Sequence, residues 1–467
     1  MKKSHESSLE KMQRIDFEQI DSSANSSESE PLIVEKSTSL KRRLPKYNSN
    51  NNFRIKHHRI LIFSSIFVLL LFIHLIIFSN VKMNIKKEVA GWSKNTSRDI
   101  ADYILPNLNT TLIDSNVCHI NEDPLLLLIV VCSSADNFDA RQTIRETWGN
   151  TSQFNYKLFD KFHGSHDASY LSINYQDWKT YSEQLIDNSS ASSQTLVKFA
   201  NFRISVVFLL GISPTEMSDE QQSVINYEHE KYGDIIQENF LDSYNNLTLK
   251  SILMLKWVRN NCIDKVKYIM KCDDDTFINV PNLIHILLGG TLPIYKSTIS
   301  FYDKESIFVT KKKNRLPESK HLLLGYKFCN AKKILDPRSK WYAPNYMFSG
   351  PKYPDYLSGT AYVFTIETAR SLYNESLSIP LFHLEDVYLT GFVAEKLKLK
   401  RTHHPLFFYQ FSKDKCSARG MISQHQLPPP EMQELYNFVT NLTINCHTPE
   451  KNFLSMKLKL TQRKGCH

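Results

Sequence analysis

The chain has little glycine and proline for its length, 13 and 18 residues among 467, which excludes collagen-like and Pro/Gly-rich low-complexity material. It contains no Cys-x-x-Cys pair, which argues against a structural zinc site. A mean hydropathy of −0.34 excludes a protein built of many membrane spans. By contrast, 42% hydrophobic and 12% aromatic residues exclude a wholly disordered chain, because this composition can bury a core.

The net charge of +9 is spread thinly along the chain. Residues 1–59 hold 12 basic and 8 acidic residues and include the polar run DSSANSSESE, so we predict a disordered tail there. The basic residues of this tail suit an anionic membrane surface. Because no basic stripe remains elsewhere, the sequence predicts no nucleic-acid partner.

One long apolar run, ILIFSSIFVLLLFIHLIIF, occupies residues 60–78. As a helix it matches a hydrocarbon core of about 30 Å, so we predict a single-pass signal anchor at 60–79. A buried core helix is the alternative, although such helices normally keep a polar face. Within about 20 residues of the run, seven basic residues precede it and five follow it, a small bias that favours a cytoplasmic N-terminus.

Cysteines and N-glycosylation sequons concentrate after the apolar run, which favours an oxidising lumen on that side. The eight cysteines are Cys118, Cys132, Cys262, Cys272, Cys329, Cys416, Cys446 and Cys466. Seven sequons follow the run, at Asn95, Asn109, Asn150, Asn188, Asn246, Asn374 and Asn441. We therefore expect a type II protein of the Golgi membrane with a luminal body, since a span this short fits a thin bilayer.

The remaining chain divides into a predicted luminal stem at 80–118 and one folded domain at 119–467. Buried strands alternate with helices in this domain, which predicts a mostly parallel, doubly wound α/β sheet. The strands are predicted at Leu125–Cys132, Ser205–Leu210, Val266–Met270 and Ala361–Thr365, and the helices at Leu247–Val258, 387–397 and 432–442.

An acidic triplet, Asp273, Asp274 and Asp275, directly follows the third predicted strand. Ligands bind at the carboxyl ends of strands in open α/β sheets, and three adjacent carboxylates repel one another unless a cation is present. Asp273 and Asp275 face the same way if the segment is extended, and oxygen ligands suit Mg²⁺, Mn²⁺ or Ca²⁺. A solvated acidic turn is the alternative.

Arg141 and Arg145 lie one helical turn apart in DARQTIRETWGN, soon after the first strand. Like charges at this spacing destabilise a helix slightly, and a bound anion such as a phosphate removes the cost. Pairing of Arg145 with a carboxylate elsewhere is the alternative.

Glu385 and Asp386 precede a predicted helix in HLEDVYLTG. Acidic residues favour the first turn of a helix electrostatically, which is the simpler interpretation. The functional interpretation is a general base at the rim of a pocket.

An aromatic stretch comprises Trp341, Tyr342, Tyr346, Tyr353 and Tyr356, and it either stacks a sugar or nucleobase or covers the core. His425, in SQHQLPPPEM, precedes a helix, and spacing alone gives it no role.

Taken together, these motifs resemble the β-1,3-galactosyltransferase family, the inverting β-1,3-glycosyltransferases of glycosyltransferase family 31. The similar segments follow the order of the family and cover most of residues 122–440. They are DARQTIRETWG, FLLG, YGDIIQENFLDSYNNLTLKS, YIMKCDDDTFIN, RSKWY, YPDYLSGTAYVF, HLEDVYLTG and HQLPPPEM.

The resemblance implies a GT-A fold, a Rossmann-like domain that binds a UDP-sugar and a divalent cation, usually Mn²⁺. It implies that Asp273 and Asp275 bind the metal, that Asp273 and Asp274 contact the nucleotide sugar, and that Asp386 is the catalytic base. His425 becomes a further metal ligand, and the donor site also includes Arg141, Arg145 and Trp341. The expected activity is transfer of galactose from UDP-galactose to the 3-hydroxyl of a glycan acceptor.

Some features depart from the family. Leu357 stands where galactosyltransferase members often carry cysteine, so the resemblance implies no disulfide pairing. Stretches near 151–200 and 291–320 look inserted, and both are expected near the acceptor side. Transfer of GlcNAc or GalNAc, an inactive luminal chaperone and a calcium-dependent adhesion domain are the alternatives, although an adhesion domain is expected to show repeated acidic loops.

Overall fold

The structure, a computed structural model, describes residues 64–74, 88–105, 108–118, 125–150, 203–213, 219–287, 319–412, 415–441 and 443–444. The predicted tail at 1–59 and the first predicted insertion, 151–200, lie outside the described residues. So do 291–318 of the second insertion.

The middle of the predicted anchor, residues 64–74, is a helix. The flanking parts of the 60–79 segment lie outside the described residues. Among the helices that are described, none has the length and apolarity needed to cross a membrane. This helix belongs to a unit, Phe17–Glu88, separate from the unit that contains Val89–His467.

The larger unit is built on a sheet of eight strands in the order β1-β4-β3-β2-β5-β8-β7-β9, and β6 pairs with β10 in a small second sheet. The strands are β1 (Thr111–Ile113), β2 (Leu125–Cys132), β3 (Arg203–Ile212), β4 (Ile235–Leu241), β5 (Val266–Asp273), β6 (Phe277–Ile278), β7 (Leu323–Phe328), β8 (Tyr356–Thr365), β9 (Thr402–His403) and β10 (Ser423–Gln424).

Helices flank this sheet. The α-helices are α1 (Phe138–Glu146), α2 (Asp219–Tyr232), α3 (Leu247–Asn261), α4 (Val280–Leu287), α5 (Ile366–Ser376), α6 (Ala394–Lys396), α7 (Lys415–Gly420) and α8 (Pro429–Thr440). A π-helix, Val387–Val393, leads directly into α6. Short 3₁₀ turns occupy Ile100–Asp102, Asn116–Cys118 and Tyr244–Asn246.

The central strand β2 shows why the apolar runs predicted a covered sheet. Every residue of β2 is buried. Ile129 and Val131 belong to one hydrophobic cluster, whereas Leu128 and Val130 belong to a second. Since side chains alternate across a strand, the sheet is packed on both faces.

The predicted strands and helices are present, but the sheet is mixed. The strands β4, β3, β2 and β5 are parallel, as expected. The strand predicted at Ala361–Thr365 is the end of β8, and β8 runs antiparallel to β5. The prediction of a mostly parallel sheet is thus confirmed for its large parallel part, and only the direction of this strand differs, because a buried apolar strand has the same sequence pattern in either direction. The mixed α/β architecture fits the GT-A expectation.

Part of the predicted stem packs into the folded unit. Trp92, Ile100 and Ile104 are buried in the core, although they fall in the predicted stem at 80–118. Strand β1 pairs with β4 at the edge of the sheet. The sequence of these short elements has no sustained hydrophobic periodicity, and contacts with distant segments stabilise them. Their place in the domain was therefore not predictable from local pattern.

The folded unit contains disulfide bonds. Cys118 and Cys262 form a disulfide bond that joins the segment before β2 to the end of α3. Cys329 and Cys416 are disulfide-bonded as well. Cys132 and Cys272 are free thiols buried in the central strands.

Candidate active site

The acidic triplet lies at the carboxyl end of the central strand β5, and its three carboxylates have different surroundings. Asp274 Oδ2 accepts hydrogen bonds from Ser133 Oγ at 2.7 Å and Asn137 Nδ2 at 2.8 Å. Burial raises the pKa of Asp274. Asp273 and Asp275, by contrast, are both partly exposed. Asp274 therefore fastens the triplet to the loop before α1, which leaves its two neighbours available to a ligand.

His425 reaches the triplet through the small second sheet. Strand β6 directly follows the triplet in the sequence, and β10 pairs with it. Beyond β10, Leu427 N donates to the backbone oxygen of Asp275 at 2.9 Å. His425 Nε2 lies 3.1 Å from Asp275 Oδ1 and 4.0 Å from Asp273 Oδ2. The structure thus brings together the three residues that the resemblance implied as metal ligands.

The donor atoms of this cluster fit a divalent cation. One ligand atom each from Asp273, Asp275 and His425 lies within 4.8 Å of the others. Asp275 Oδ1 is buried and accepts no hydrogen bond from the described residues. Two carboxylates and an imidazole suit a divalent first-row metal. The cluster is therefore a candidate metal site, and the identity of the ion stays a prediction.

Lys271, which the sequence did not single out, connects this cluster to β8. Its buried Nζ donates to Asp273 Oδ1 at 2.5 Å and to the backbone oxygen of Gly359 at 2.6 Å. Glu385 Oε2 lies 3.9 Å from the same Nζ. Burial lowers the pKa of Lys271, but the carboxylates of Asp273 and Glu385 outweigh it and raise that pKa well above normal. The only sequence signal for this role was that Lys271 is the second lysine, after Lys267, in an otherwise apolar strand.

Glu385 and Asp386 lie close to Gly359. Glu385 is buried, and its Oε1 accepts a hydrogen bond from Tyr362 OH at 2.6 Å. Asp386 caps the π-helix, because its Oδ1 accepts from Val387 N at 2.8 Å. A Cβ atom on Gly359 would lie 3.2 Å from Asp386 Cβ, so the strand and the helix approach closely.

Asp386 has the proton affinity of a general base. Burial, with the nearby Glu385 carboxylate as second cause, raises the pKa of Asp386 to about 7. A base is most effective when its pKa lies near the working pH. The first-turn interpretation holds as well, since Asp386 does cap a helix, and the two roles are compatible.

Thr390 fixes the backbone around Asp386. Its Oγ1 donates to the backbone oxygen of Asp386 at 2.6 Å and accepts from Leu357 N at 2.8 Å. The helix predicted at 387–397 begins as the π-helix Val387–Val393, which is wider than a regular α-helix. Single π-helical turns of this kind occur often at functional sites.

The two arginines are engaged by carboxylates. Arg141 donates to Glu228 through Nε at 2.8 Å and through Nη2 at 2.7 Å, and it is buried. Arg145 donates to Asp234 through Nε at 2.8 Å and Nη2 at 2.8 Å. The alternative for Arg145, a carboxylate partner elsewhere, is thus what the structure contains.

Arg141 reaches the acidic triplet only through another residue. Its Nη1 donates to Ser133 Oγ at 3.2 Å and to the backbone oxygen of Ser134 at 2.5 Å. Ser133 in turn donates to Asp274. Arg141 therefore stabilises the loop at Ser133 and Ser134, and Ser133 in turn binds the triplet. This arrangement does not support the predicted contact of Arg141 with the donor nucleotide.

The aromatic stretch divides between the two interpretations. Tyr346 OH donates to the backbone oxygen of Trp92 at 2.6 Å and therefore helps to close the core. Trp341 is 51% exposed and is hydrogen-bonded to Tyr244. Partial burial and the carboxylates of Asp386 and Asp273 raise the pKa of Tyr244 to about 12. Trp341 and Tyr244 thus lie at the open side of the site.

Comparison with known proteins agrees with this geometry. A family profile described as galactosyltransferase matches residues 187–405. β-1,3-Galactosyltransferase 1 of Mus musculus is 30% identical over 312 residues, which cover 67% of this chain and 73% of the relative. β-1,3-Galactosyltransferase 1 of Homo sapiens matches to the same extent. β-1,3-Galactosyltransferase 2 of Mus musculus is 29% identical over 315 residues, 67% of this chain and 58% of the relative.

A solved structure, a glycosyltransferase involved in the glycosylation of the major capsid of PBCV-1, matches 67% of this chain and 99% of its own. The TM-score is 0.25 and the identity 9%, too low to bear on the fold. The sequence relatives suffice, because the chain spans more than two thirds of one that is 30% identical. The chain belongs to the β-1,3-galactosyltransferase family and is a hexosyltransferase.

Proposed function

We propose that the protein transfers galactose from UDP-galactose to the 3-hydroxyl of a glycan acceptor on a glycoprotein or glycolipid. One observation carries the proposal: Gly359 is close to Asp386 and is joined through Lys271 to Asp273 of the candidate metal cluster. Its backbone oxygen accepts from Lys271, and its α-carbon packs against Asp386. A donor diphosphate at the cluster and an acceptor hydroxyl at Asp386 would then be neighbours. The names of the relatives support galactose and the β-1,3 linkage.

The reaction follows as a single displacement. The acceptor oxygen attacks C1 of the donor sugar from the face opposite the diphosphate, while Asp386 takes the proton of the acceptor hydroxyl. The bond between C1 and the phosphate oxygen breaks, and its electron pair leaves with UDP. An α-linked donor therefore gives a β-linked product, and no covalent intermediate with the protein is required.

Asp273, Asp275 and His425 would hold a divalent cation, for which we propose Mn²⁺. When bound, such a cation acts as a Lewis acid that neutralises the leaving diphosphate. Lys271 compensates the charge of Asp273 from the buried side. Asp274 holds the turn in place through Ser133 and Asn137.

We also propose a type II arrangement in the Golgi membrane, with residues 60–79 as the anchor and the catalytic domain in the lumen. The apolar run and the basic residues before it support the anchor. The Cys118–Cys262 disulfide supports an oxidising compartment.

Transfer of GlcNAc or GalNAc would use the same residues and is the main alternative. An inactive luminal chaperone is less favoured, because both the acidic triplet and Asp386 are retained in a coherent site. The test is to incubate the purified full-length protein with UDP-galactose, UDP-GlcNAc and UDP-GalNAc, with MnCl₂ and a panel of glycan acceptors. The proposal expects acceptor-dependent UDP release with UDP-galactose above the other donors. Equal or greater turnover of UDP-GlcNAc would overturn the choice of donor.

A further inference from the structure

A row of aromatic rings lies at the end of β7 and the start of β8. The ring centroids of Phe328 and Tyr356 are 5.3 Å apart, and those of Phe328 and Tyr409 are 5.0 Å apart. Tyr326 adds a contact of 4.6 Å with Tyr409. All four rings keep some solvent exposure. We call Tyr326, Phe328, Tyr356 and Tyr409 the aromatic wall, and neither donor nor metal chemistry uses it.

The aromatic wall reaches the proposed base through Tyr356. A Cβ atom on Gly391 of the π-helix would lie 3.4 Å from Tyr356 Cβ, so this end of the wall packs on the helix that Asp386 begins. Gly359, three residues further along β8, packs against Asp386 itself. Burial and the carboxylate of Asp386 both raise the pKa of Tyr356. The wall therefore lies where an acceptor must bind if Asp386 takes its proton.

Tyr353 provides a second and independent observation. Its hydroxyl is buried and has no hydrogen-bond partner among the described residues. Its ring stands nearly perpendicular to that of Tyr356, with centroids 6.2 Å apart. Burial and the nearby Asp386 carboxylate raise the pKa of Tyr353. A hydroxyl that has lost its hydration without compensation is ready to pair with a polar group of a ligand.

The chemistry of this surface fits a sugar ring. A pyranose offers a face of C–H groups to aromatic rings and a rim of hydroxyls to polar groups, and tyrosine supplies both kinds of partner. Beside the wall, Lys327 Nζ lies 3.3 Å from Asp355 Oδ2, so these two charges compensate each other. The Asp386 carboxylate disfavours an anionic sugar at the same place.

We propose that the aromatic wall and the Tyr353 hydroxyl form the binding site for an uncharged pyranose ring of the acceptor. This inference rests on the proposed function, since it takes Asp386 as the base. It adds the residues that select the acceptor, which lie apart from the acidic triplet and from Lys271.

The experiment uses the full-length protein with UDP-galactose, MnCl₂ and the methyl β-glycosides of galactose, N-acetylglucosamine and glucose. Tyr409→Ala should raise the acceptor KM about fivefold to tenfold, with the donor KM within twofold of wild type. Tyr409→Phe keeps the ring and should raise the acceptor KM less than Tyr409→Ala does. Tyr227→Ala, at an exposed position on α2, is the matched control and should change neither constant. Phe328→Leu repeats the comparison with a smaller loss of volume, and melting curves check the folding of each variant.

Unchanged acceptor KM values in both Tyr409→Ala and Phe328→Leu would overturn the inference while leaving the proposed function in place. Saturation-transfer NMR of the same glycosides, with UDP and MgCl₂, tests the opposite case, in which the aromatic wall binds a sugar but the proposed function is wrong. Binding that depends on Tyr409 without any transfer would support the wall and refute the proposed function. Absence of glycoside binding to an enzyme that transfers normally would count against the wall.

Discussion

The hydroxyl of Thr390 donates a 2.6 Å hydrogen bond to the backbone oxygen of Asp386, and the same hydroxyl accepts from Leu357 N at 2.8 Å. One side chain thus joins the first turn of the π-helix to strand β8. Because Asp386 lies at that turn, this hydroxyl helps to position its carboxylate beside Gly359, together with the hydrogen bond from Val387 N. The proposed chemistry should be sensitive to this contact.

Replacement of Thr390 by valine should lower kcat about tenfold, because Leu357 N loses a buried acceptor and the turn can shift. UDP binding, measured by calorimetry, should stay within twofold. Thr390→Ser keeps the hydroxyl and should restore most of the rate. Thr368→Val removes a buried hydroxyl on α5 and is the control for loss of stability alone. An equal kcat in Thr390→Val and Thr368→Val would contradict the positioning role.

Removal of the Lys271 charge should destabilise the fold. In Lys271→Met the partly exposed Asp273 and the buried Glu385 lose their shared cation, a loss of up to about 3–5 kcal/mol, the range for a buried charge left without its partner. Urea denaturation measures the free energy of unfolding. Lys267→Met, on the exposed side of the same strand, should change it by about 0.5 kcal/mol or less. A similar small change in both variants would mean that the Lys271 contacts contribute little.

The rate should depend on pH through Asp386, whose pKa is raised to about 7. A base must be deprotonated to act, so kcat/KM should fall about tenfold per pH unit as the pH drops below this value. A bound cation lowers the pKa of a nearby carboxylate and would move the midpoint below 7. The measurement is kcat/KM for the acceptor between pH 5 and 8.5. A rate that rises as the pH falls would be incompatible with Asp386 as the base.

His425 should be needed for metal affinity. Loss of its imidazole in His425→Ala removes one of three candidate ligands, so activation should require about tenfold or more Mn²⁺. His321→Ala, at an exposed position before β7, is the matched control and should leave the activation curve unchanged. Full activity of the wild-type protein in excess EDTA would refute the metal role altogether.

Much of the core was predictable because it follows local patterns. The buried run of β2 and the position of Asp273 to Asp275 at the end of β5 both follow from hydrophobicity and from where ligands bind in α/β sheets. The grouping of Asp275 with His425 was not accessible from spacing, since 150 residues separate them in the sequence and only the β6–β10 pairing brings them together.

Other features depend on contacts between distant segments. Arg141 and Arg145 were predicted beside the donor, which stays a prediction; their carboxylate partners are Glu228, on α2, and Asp234, in the turn after it. Trp92 was placed in a stem, whereas Asn246 accepts a hydrogen bond from its indole at 3.1 Å. The same contact buries Asn246, the asparagine of one of the seven sequons, and the sequence does not distinguish this sequon from the other six. Neither partner is visible from the neighbours of these residues in the chain.

The most direct test compares wild type with Asp386→Asn in the full-length protein, using UDP-galactose, MnCl₂ and a glycan acceptor. The proposed mechanism predicts that wild type forms a β-1,3-linked galactoside, identified by NMR of the purified product. It predicts that Asp386→Asn loses at least 10²-fold in kcat while UDP binding stays within about twofold, since an amide cannot take the proton. Transfer by Asp386→Asn at the wild-type rate, or an α-linked product from wild type, would contradict the central claim.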